Sequence, residues 1–240
     1  MVNLSKRSNK KEILDGENIP FADIKQNLEE LNTINTTLGG HKITLDGIKA
    51  FTNKHKNSPF TFCEIGCGGG DNLKAISTWC GKNKISANFI GIDIKKECLD
   101  YATKQYPELK AEWIQDDYYS VNFINRQPDV IFSSLFCHHF TETELIKMLH
   151  WMQANCSKGF FINDLQRNSI AYYGIKFITW LFSKSYLVKN DAPLSVARGF
   201  TKNEWQSIFK KAGISHYSIQ WKWAFRYLII TDSIPENIQT

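Results

Sequence analysis

The chain of 240 residues contains no stretch approaching ~20 uncharged apolar residues, the length a helix needs to cross a bilayer, so stable insertion into a membrane is not expected. Its opening residues are polar and lack the apolar run of a secretory signal, which points to a cytoplasmic setting. The cysteines at 63, 67, 80, 98, 137 and 156 include no CxxC pair, and no closely spaced cysteine and histidine set has zinc spacing. Unpaired thiols in a reducing compartment are expected, and no metal. Concentrated charge is also scarce. The formal net charge is +5, and Lys6, Arg7, Lys10 and Lys11 supply part of it ahead of any apolar periodicity. With no basic groove and no reading motif, nucleic acid is not an expected partner. Internal repeats and low-complexity linkers are absent too.

What is present is buryable surface. Apolar residues make up 42% of the chain and aromatics 13%, enough to offset the entropy of ordering one core. Residues 1–20 read as a flexible tail and 21–58 as a helical cap. Within the cap, Ile24, Leu28, Leu31 and Ile34 recur at helical spacing over 22–36, and Gly39-Gly40 supplies the stop. From residue 59 strands alternate with helices. Short β-branched or aromatic runs at 61–65, 88–92, 111–114, 129–133 and 159–162 are separated mostly by helical patterns, so parallel pairing across helical crossovers follows. Two aromatic runs at 217–223 and 225–231, with almost nothing between them, predict a terminal antiparallel hairpin. The fold class is therefore α/β, a doubly wound seven-stranded sheet, mostly parallel, behind an N-terminal helix.

The first strand ends in Thr61-Phe-Cys-Glu-Ile-Gly-Cys-Gly-Gly-Gly-Asp. Glycines after a strand and before a helix let the backbone turn sharply and come close to a ligand, and Asp71 suits the helix N-cap. The second strand ends in Asp93, whose carboxylate can accept from ribose hydroxyls, unless it serves only to cap the next helix. The third ends in Gln115-Asp116-Asp117, where a carboxylate can accept from an adenine amino group; Asp116 is preferred, with Asp117 next. A nicotinamide-dependent dehydrogenase also uses a glycine loop and an acid. Here, however, Asp71 stands where the dinucleotide pattern GxGxxG wants its third glycine, and an acid precedes the first glycine by two residues.

At this point the sequence resembles the class I S-adenosylmethionine-dependent methyltransferases, whose first motif, acid-x-Gly-x-Gly-x-Gly, is matched by Glu64, Gly66, Gly68 and Gly70. The resemblance runs over roughly residues 60 to 231. It implies a Rossmann-like domain over 59–240, S-adenosylmethionine as methyl donor, S-adenosylhomocysteine as product, and Glu64 beside the methionine ammonium. Cys67 within the loop, Ile94 after Asp93, and Ser133 at the end of the fourth strand join the implied cofactor contacts. In this family the closing hairpin supplies the sixth and seventh strands.

Open α/β sheets bind ligands beyond the carboxyl ends of their strands. His138 and His139 follow the fourth strand, and Asn163, Asp164 and Arg167 follow the fifth. A histidine of near-neutral pKa can take a proton from a phenol or enol, and His139 is the first choice, with a purely structural role equally open. Asp164 and Arg167 either bind substrate or cap the following helix. Residues 168–200 form an insertion in which Ile170, Tyr173, Phe177, Ile178 and Leu181 share one helical face while Tyr172, Ile175 and Trp180 make the other side apolar. Such a helix wants cover on both sides and reads as a lid over an apolar pocket, or as core or a dimer contact. The resemblance narrows to methyltransferases of small molecules, with a hydrophobic phenol or quinone precursor as the expected acceptor and a monomer or homodimer as the expected state. Two alternatives remain: an NAD(P)-dependent oxidoreductase, and an S-adenosylmethionine-binding protein without catalysis.

Overall fold

A computed structural model describes residues 2–16, 18–55, 59–123 and 126–232. The outer limits expected for the three segments, at 1, 58 and 240, lie outside these residues.

Seven strands form one sheet in the order β3-β2-β1-β4-β5-β7-β6. They are β1 (Phe60–Ile65), β2 (Ala87–Asp93), β3 (Glu112–Gln115), β4 (Val130–Ser134), β5 (Gly159–Leu165), β6 (Ser218–Lys222) and β7 (Arg226–Asp232). The first five pair in parallel, and β7 runs antiparallel to both β5 and β6, as the hairpin signal predicted. The chain order reverses between β1 and β4, and the carboxyl ends of the strands open there into a crevice, the place where such sheets hold ligands.

Every residue of β1 is buried, because helices cover both faces of a parallel sheet and leave no solvated side. On one face Phe60, Phe62, Phe132 and Phe161 pack under α2 (Gly40–Thr52) and α3 (Asp71–Lys82). On the other, Cys63, Ile65, Ile131 and Ile162 pack under α5 (Glu142–Asn155) and α8 (Lys202–Lys211). Both α5 and α8 start on capping boxes, Thr141 with Glu144 and Thr201 with Glu204, which satisfy the free amide donors of the first turn. The six cysteines are all buried and unpaired.

Two features depart from the sequence expectation. The helical signal at 22–36 is α1 (Phe21–Thr37), but the chain turns through Gly39 at φ 76° and at once begins α2. Residues 2–16 are not a solvated tail. Arg7 donates to the carbonyls of Arg198, His138 and Phe140, the Ser8 amide donates to the Ala197 carbonyl, and Glu12 is buried. Backbone carbonyls left bare at the ends of two other elements thus hold the segment as a strap across the crevice.

The insertion folds as two helices, α6 (Ser169–Phe182) and α7 (Tyr186–Arg198), packed against each other. Asn168 caps α6 by accepting from the Ile170 and Ala171 amides. The expectation of cover on both sides of α6 holds for one side only: Phe177 and Trp180 are 60% and 69% exposed, and no described element packs on them. Among the described residues no helix is long and apolar enough to cross a membrane.

Candidate active site

The turn after β1 is shaped by its glycines. Gly66, Gly68 and Gly70 all have positive φ, and a Cβ on Gly66 would meet the Phe136 ring at 2.3 Å. Only glycine fits both the dihedral and the approach there. Asp71 is the first residue of α3 rather than its cap; Gly70 holds the cap position, and the Asp71 carboxylate instead lies 2.7 Å from His41 Nε2.

Glu64 sits at the end of β1, fully buried. Its Oε1 accepts from Asn72 Nδ2 at 2.9 Å, while Oε2 has no partner. Burial pushes this carboxyl well above the usual carboxylate range, the charges of Asp71 and Asp93 push it further, and the Asn72 bond only partly opposes them. A second unpartnered group lines the same cavity. Arg226, buried at the start of β7, donates from Nη2 to Asn35 Oδ1 at 3.0 Å, and its Nε and Nη1 find nothing. A short polar chain links the two: Asn72 bonds Thr44, Thr44 accepts from Asn163, and Asn163 donates to the Gly40 carbonyl beside Arg226.

Asp93 ends β2 as expected and ties the turn together. Its Oδ2 accepts from the Gly68 amide at 2.9 Å and its Oδ1 from the Lys95 amide at 2.8 Å. Burial raises its pKa against those bonds. Asp116 and Asp117 stand at the same end with Ile94, which is exposed, and all three line the cavity with Cys67. Burial holds the Cys67 thiol protonated, with the Asp93 and Glu64 charges acting in the same sense. Ser133 is corrected: its side chain is buried against Cys137 Sγ at 3.3 Å, and the neighbouring Ser134 lines the cavity instead. Strand alternation sends adjacent residues to opposite faces, so one position decides which serine is reached.

At the other end, the 3₁₀ turn Cys137–His139 follows β4. His138 is buried, with Nδ1 2.8 Å from Asp164 Oδ1, and its own amide donates to Asp164 Oδ2. Asp164 does not line the cavity and caps nothing; it holds His138. Burial alone would raise its pKa, yet the His138 ring and the backbone donors keep it below the ordinary value. Arg167 is turned away as well, paired through both terminal nitrogens with Glu204. His139 is partly exposed to the cavity, with Nδ1 2.9 Å from Asp15 Oδ1. Arg198 donates to the carbonyls of His138 and His139 and fixes the turn from α7.

Glu12, Asp15, Arg7 and Arg198 were not singled out in the sequence. The strap that carries the first three has no periodicity to read, and its contacts come from distant segments. Glu12 is pushed up to about 7 by burial, against the pull of His139. Asp15 is held at about 2; burial works against its charge, and His139, the Glu12 amide and Arg198 outweigh it.

The cavity that joins these groups has a volume of about 740 Å³. It runs from the glycine turn to a set of apolar walls: Leu28, Leu31 and Ile34 of α1, Ala171, Ile175 and Ile178 of α6, and Val196 of α7.

Residues 62–159 match the family model described as a methyltransferase domain. The seven-stranded order, with its antiparallel closing hairpin, is that of the class I methyltransferase fold. Similar solved structures extend over nearly the whole chain. A plantazolicin methyltransferase, BpumL, in complex with a pentazolic desmethylPZN analog and SAH superposes with a TM-score of 0.66 at 18% identity, covering 89% of this chain and 91% of that one. The magnesium protoporphyrin IX methyltransferase ChlM from Synechocystis PCC 6803 with bound SAM gives 0.53 at 12% identity over 82% and 81%. The CurJ carbon methyltransferase gives 0.58 at 17% identity over 80% of this chain and 54% of that one. No curated protein matches in sequence.

Proposed function

We propose that this chain transfers a methyl group from S-adenosylmethionine to a small, largely apolar acceptor held beneath α6 and α7. The observation that carries the reading is the pair of buried, unpartnered groups of opposite sign, Glu64 Oε2 and Arg226 Nε and Nη1, on one cavity. Leaving either group unpaired is costly, and an amino-acid end with its ammonium and carboxylate satisfies both at once. The neighbouring structures solved with SAM or SAH support the same donor.

When bound, S-adenosylmethionine supplies an electrophilic methyl on a sulfonium centre. Glu64 and Arg226 hold the methionine end, Asp93 accepts from the ribose, and Asp116 with Asp117 and Ile94 border the adenine. The residues of α1, α6 and α7 exclude water and orient the acceptor. Methyl transfer disperses charge, so positioning carries much of the rate. His139, on the acceptor side, takes the proton that an acceptor hydroxyl loses as its oxygen attacks, while Asp164 keeps the His138 ring in place. The apolar walls favour an aromatic acceptor such as a phenol or a quinone precursor.

The test is calorimetric titration with S-adenosylhomocysteine, with a nicotinamide dinucleotide as control. Binding of the first alone is expected. Binding of the dinucleotide alone would overturn the reading and make the chain an oxidoreductase. A screen of hydrophobic phenols with labelled donor then tests the acceptor.

A further inference from the structure

The strap and the turn after β4 bring Glu12, His138 and His139 together. Each offers one ligand atom, and these atoms lie within 4.8 Å of one another on the cavity wall. His138 Nε2 is 3.6 Å from Glu12 Oε1, and His139 Nε2 is 3.8 Å from Glu12 Oε2. Both separations are too long for a hydrogen bond. Each is measured to a different Glu12 oxygen, and each is of the size that separates two ligands across an ion, since bonds of about 2.0–2.2 Å at angles of about 110–140° put ligand atoms roughly 3.3–4.1 Å apart.

A second observation fixes which way the His138 ring faces. Asp164 Oδ1 stands 2.8 Å from His138 Nδ1, and Asp15 Oδ1 stands 2.9 Å from His139 Nδ1. The Asp164 carboxylate bonds His138 at Nδ1, which draws the ring proton there and leaves the Nε2 lone pair toward Glu12, while Asp15 lies beside His139 Nδ1 as a charge partner out of hydrogen-bond alignment. Carboxylate, imidazole and metal in line is the arrangement by which proteins orient histidine ligands. Of the remaining charges nearby, Arg7 and Arg198 are spent largely on the backbone carbonyls of residues 138–140, with Arg198 Nη1 3.3 Å from Asp15 Oδ2. Ser195 donates to Glu12 Oε1.

We infer that Glu12, His138 and His139 form a binding site for a divalent transition-metal cation, with zinc the best match. Two imidazoles and one carboxylate suit zinc, and three protein ligands leave a coordination position open, here toward the cavity. That position faces the acceptor side of the cavity. On the methyl-transfer reading above, a bound ion would take the acceptor oxygen at its open position and lower its pKa, so that the hydroxyl proton is lost to water before attack; in that metal-loaded form His139 serves as a ligand in place of its role as base. The cation site itself does not depend on that reading.

The experiment uses the full chain, stripped with a chelator and titrated calorimetrically with zinc chloride, with cobalt(II) absorption as a second readout of coordination. One equivalent of zinc is expected, together with visible cobalt bands. Glu12→Gln and His139→Ala each weaken zinc by tenfold or more, and Asp15→Asn, which disturbs a positioning residue, weakens it by about 10- to 100-fold. His216→Ala, exposed and remote from the cluster, leaves zinc binding unchanged. Unchanged far-ultraviolet circular dichroism and thermal melting of each variant report that it is folded, and S-adenosylhomocysteine binding is measured in parallel. Absence of stoichiometric zinc from the folded chain, or zinc binding that survives both Glu12→Gln and His139→Ala, would overturn the site. Loss of S-adenosylhomocysteine binding in the wild type with zinc binding intact would instead strike only the methyl-donor reading.

Discussion

Replacing Glu64 by glutamine separates the cost of a buried charge from its use. In the free protein Glu64 is fully buried, one oxygen is bonded by Asn72 and the other has no partner, and burial raises its pKa well above 4.5. A carboxyl whose folded pKa exceeds its unfolded one stabilises the fold at low pH. That contribution is lost as pH rises through the folded value, at up to about 1.4 kcal/mol per pH unit for one proton. Glutamine keeps the shape and an acceptor for Asn72 but cannot ionise. The ligand-free variant is therefore expected to melt no lower than the wild type near neutral pH and to lose this part of the pH slope.

Affinity for S-adenosylhomocysteine should move the other way. One charge-assisted bond to the ammonium is worth about 1.5–3 kcal/mol, or a Kd about 10- to 150-fold weaker. Binding should also be linked to protons. Pairing with an ammonium lowers the Glu64 pKa, so wild-type complex formation releases up to one proton where the free carboxyl is protonated. The effect shows as a difference in binding heat between buffers of different ionisation enthalpy, and Glu64→Gln abolishes it. The companion change Arg226→Gln should weaken binding over the same range by removing the partner of the carboxylate. Equal affinity and equal proton release in wild type and Glu64→Gln would refute the assignment of both groups to the amino-acid end.

Three further outcomes are expected. Asp93→Ala weakens the same ligand by about 1.5–3 kcal/mol for each ribose bond lost, and it also loosens the turn by freeing the Gly68 and Lys95 amides; unchanged affinity by calorimetry would remove Asp93 from the site. His139→Ala lowers turnover by about 100-fold or more while S-adenosylhomocysteine affinity changes little, and a matched loss of both would assign the ring a structural role. Gly47→Ala drives a methyl to 2.6 Å from the Phe161 ring, a fully buried side chain between α2 and the sheet. Overpacking of about 1–3 kcal/mol should lower the melting temperature by several degrees without altering Kd for the donor, which differential scanning calorimetry can check.

The end of the cavity at the glycine turn was legible because its signals are local. A strand, a glycine turn and an acid at the end of the next strand follow one another in the chain, and Glu64, Gly66, Gly68 and Asp93 stand where that order puts them. Asp116, Asp117, Ile94 and Cys67 line the same space. Where one residue of parity decided the outcome, the reading missed: Ser133 faces the core and Ser134 the cavity. The end of the cavity beneath the strap was harder for a different reason. Arg7 reaches backbone carbonyls 131 and 191 residues away, and Glu12 is placed by Ser195, 183 residues on. A short polar segment held through such contacts carries no period of 2 or 3.6, so it reads as a tail. Asp164 followed a strand end, as a ligand contact would, but its carboxylate is turned to His138.

The division between those two ends has a consequence for how such a chain can diversify. The glycine turn, Glu64, Asp93, the acids after β3 and the turn carrying His138 and His139 fall within the matched segment 62–159, whereas Arg226, the walls from α1, α6 and α7, and the strap come from chain on either side of it. On the proposed function, substitutions in α6, α7 or the strap reshape what is accepted while Glu64, Asp93 and the Arg226–Asn35 pair stay as they are. If the proposed function holds, exchanging α6, α7 and the strap between two such chains should exchange their acceptors and leave the affinity for S-adenosylhomocysteine nearly constant, with specificity inherited from the margins of the domain and not from its motif.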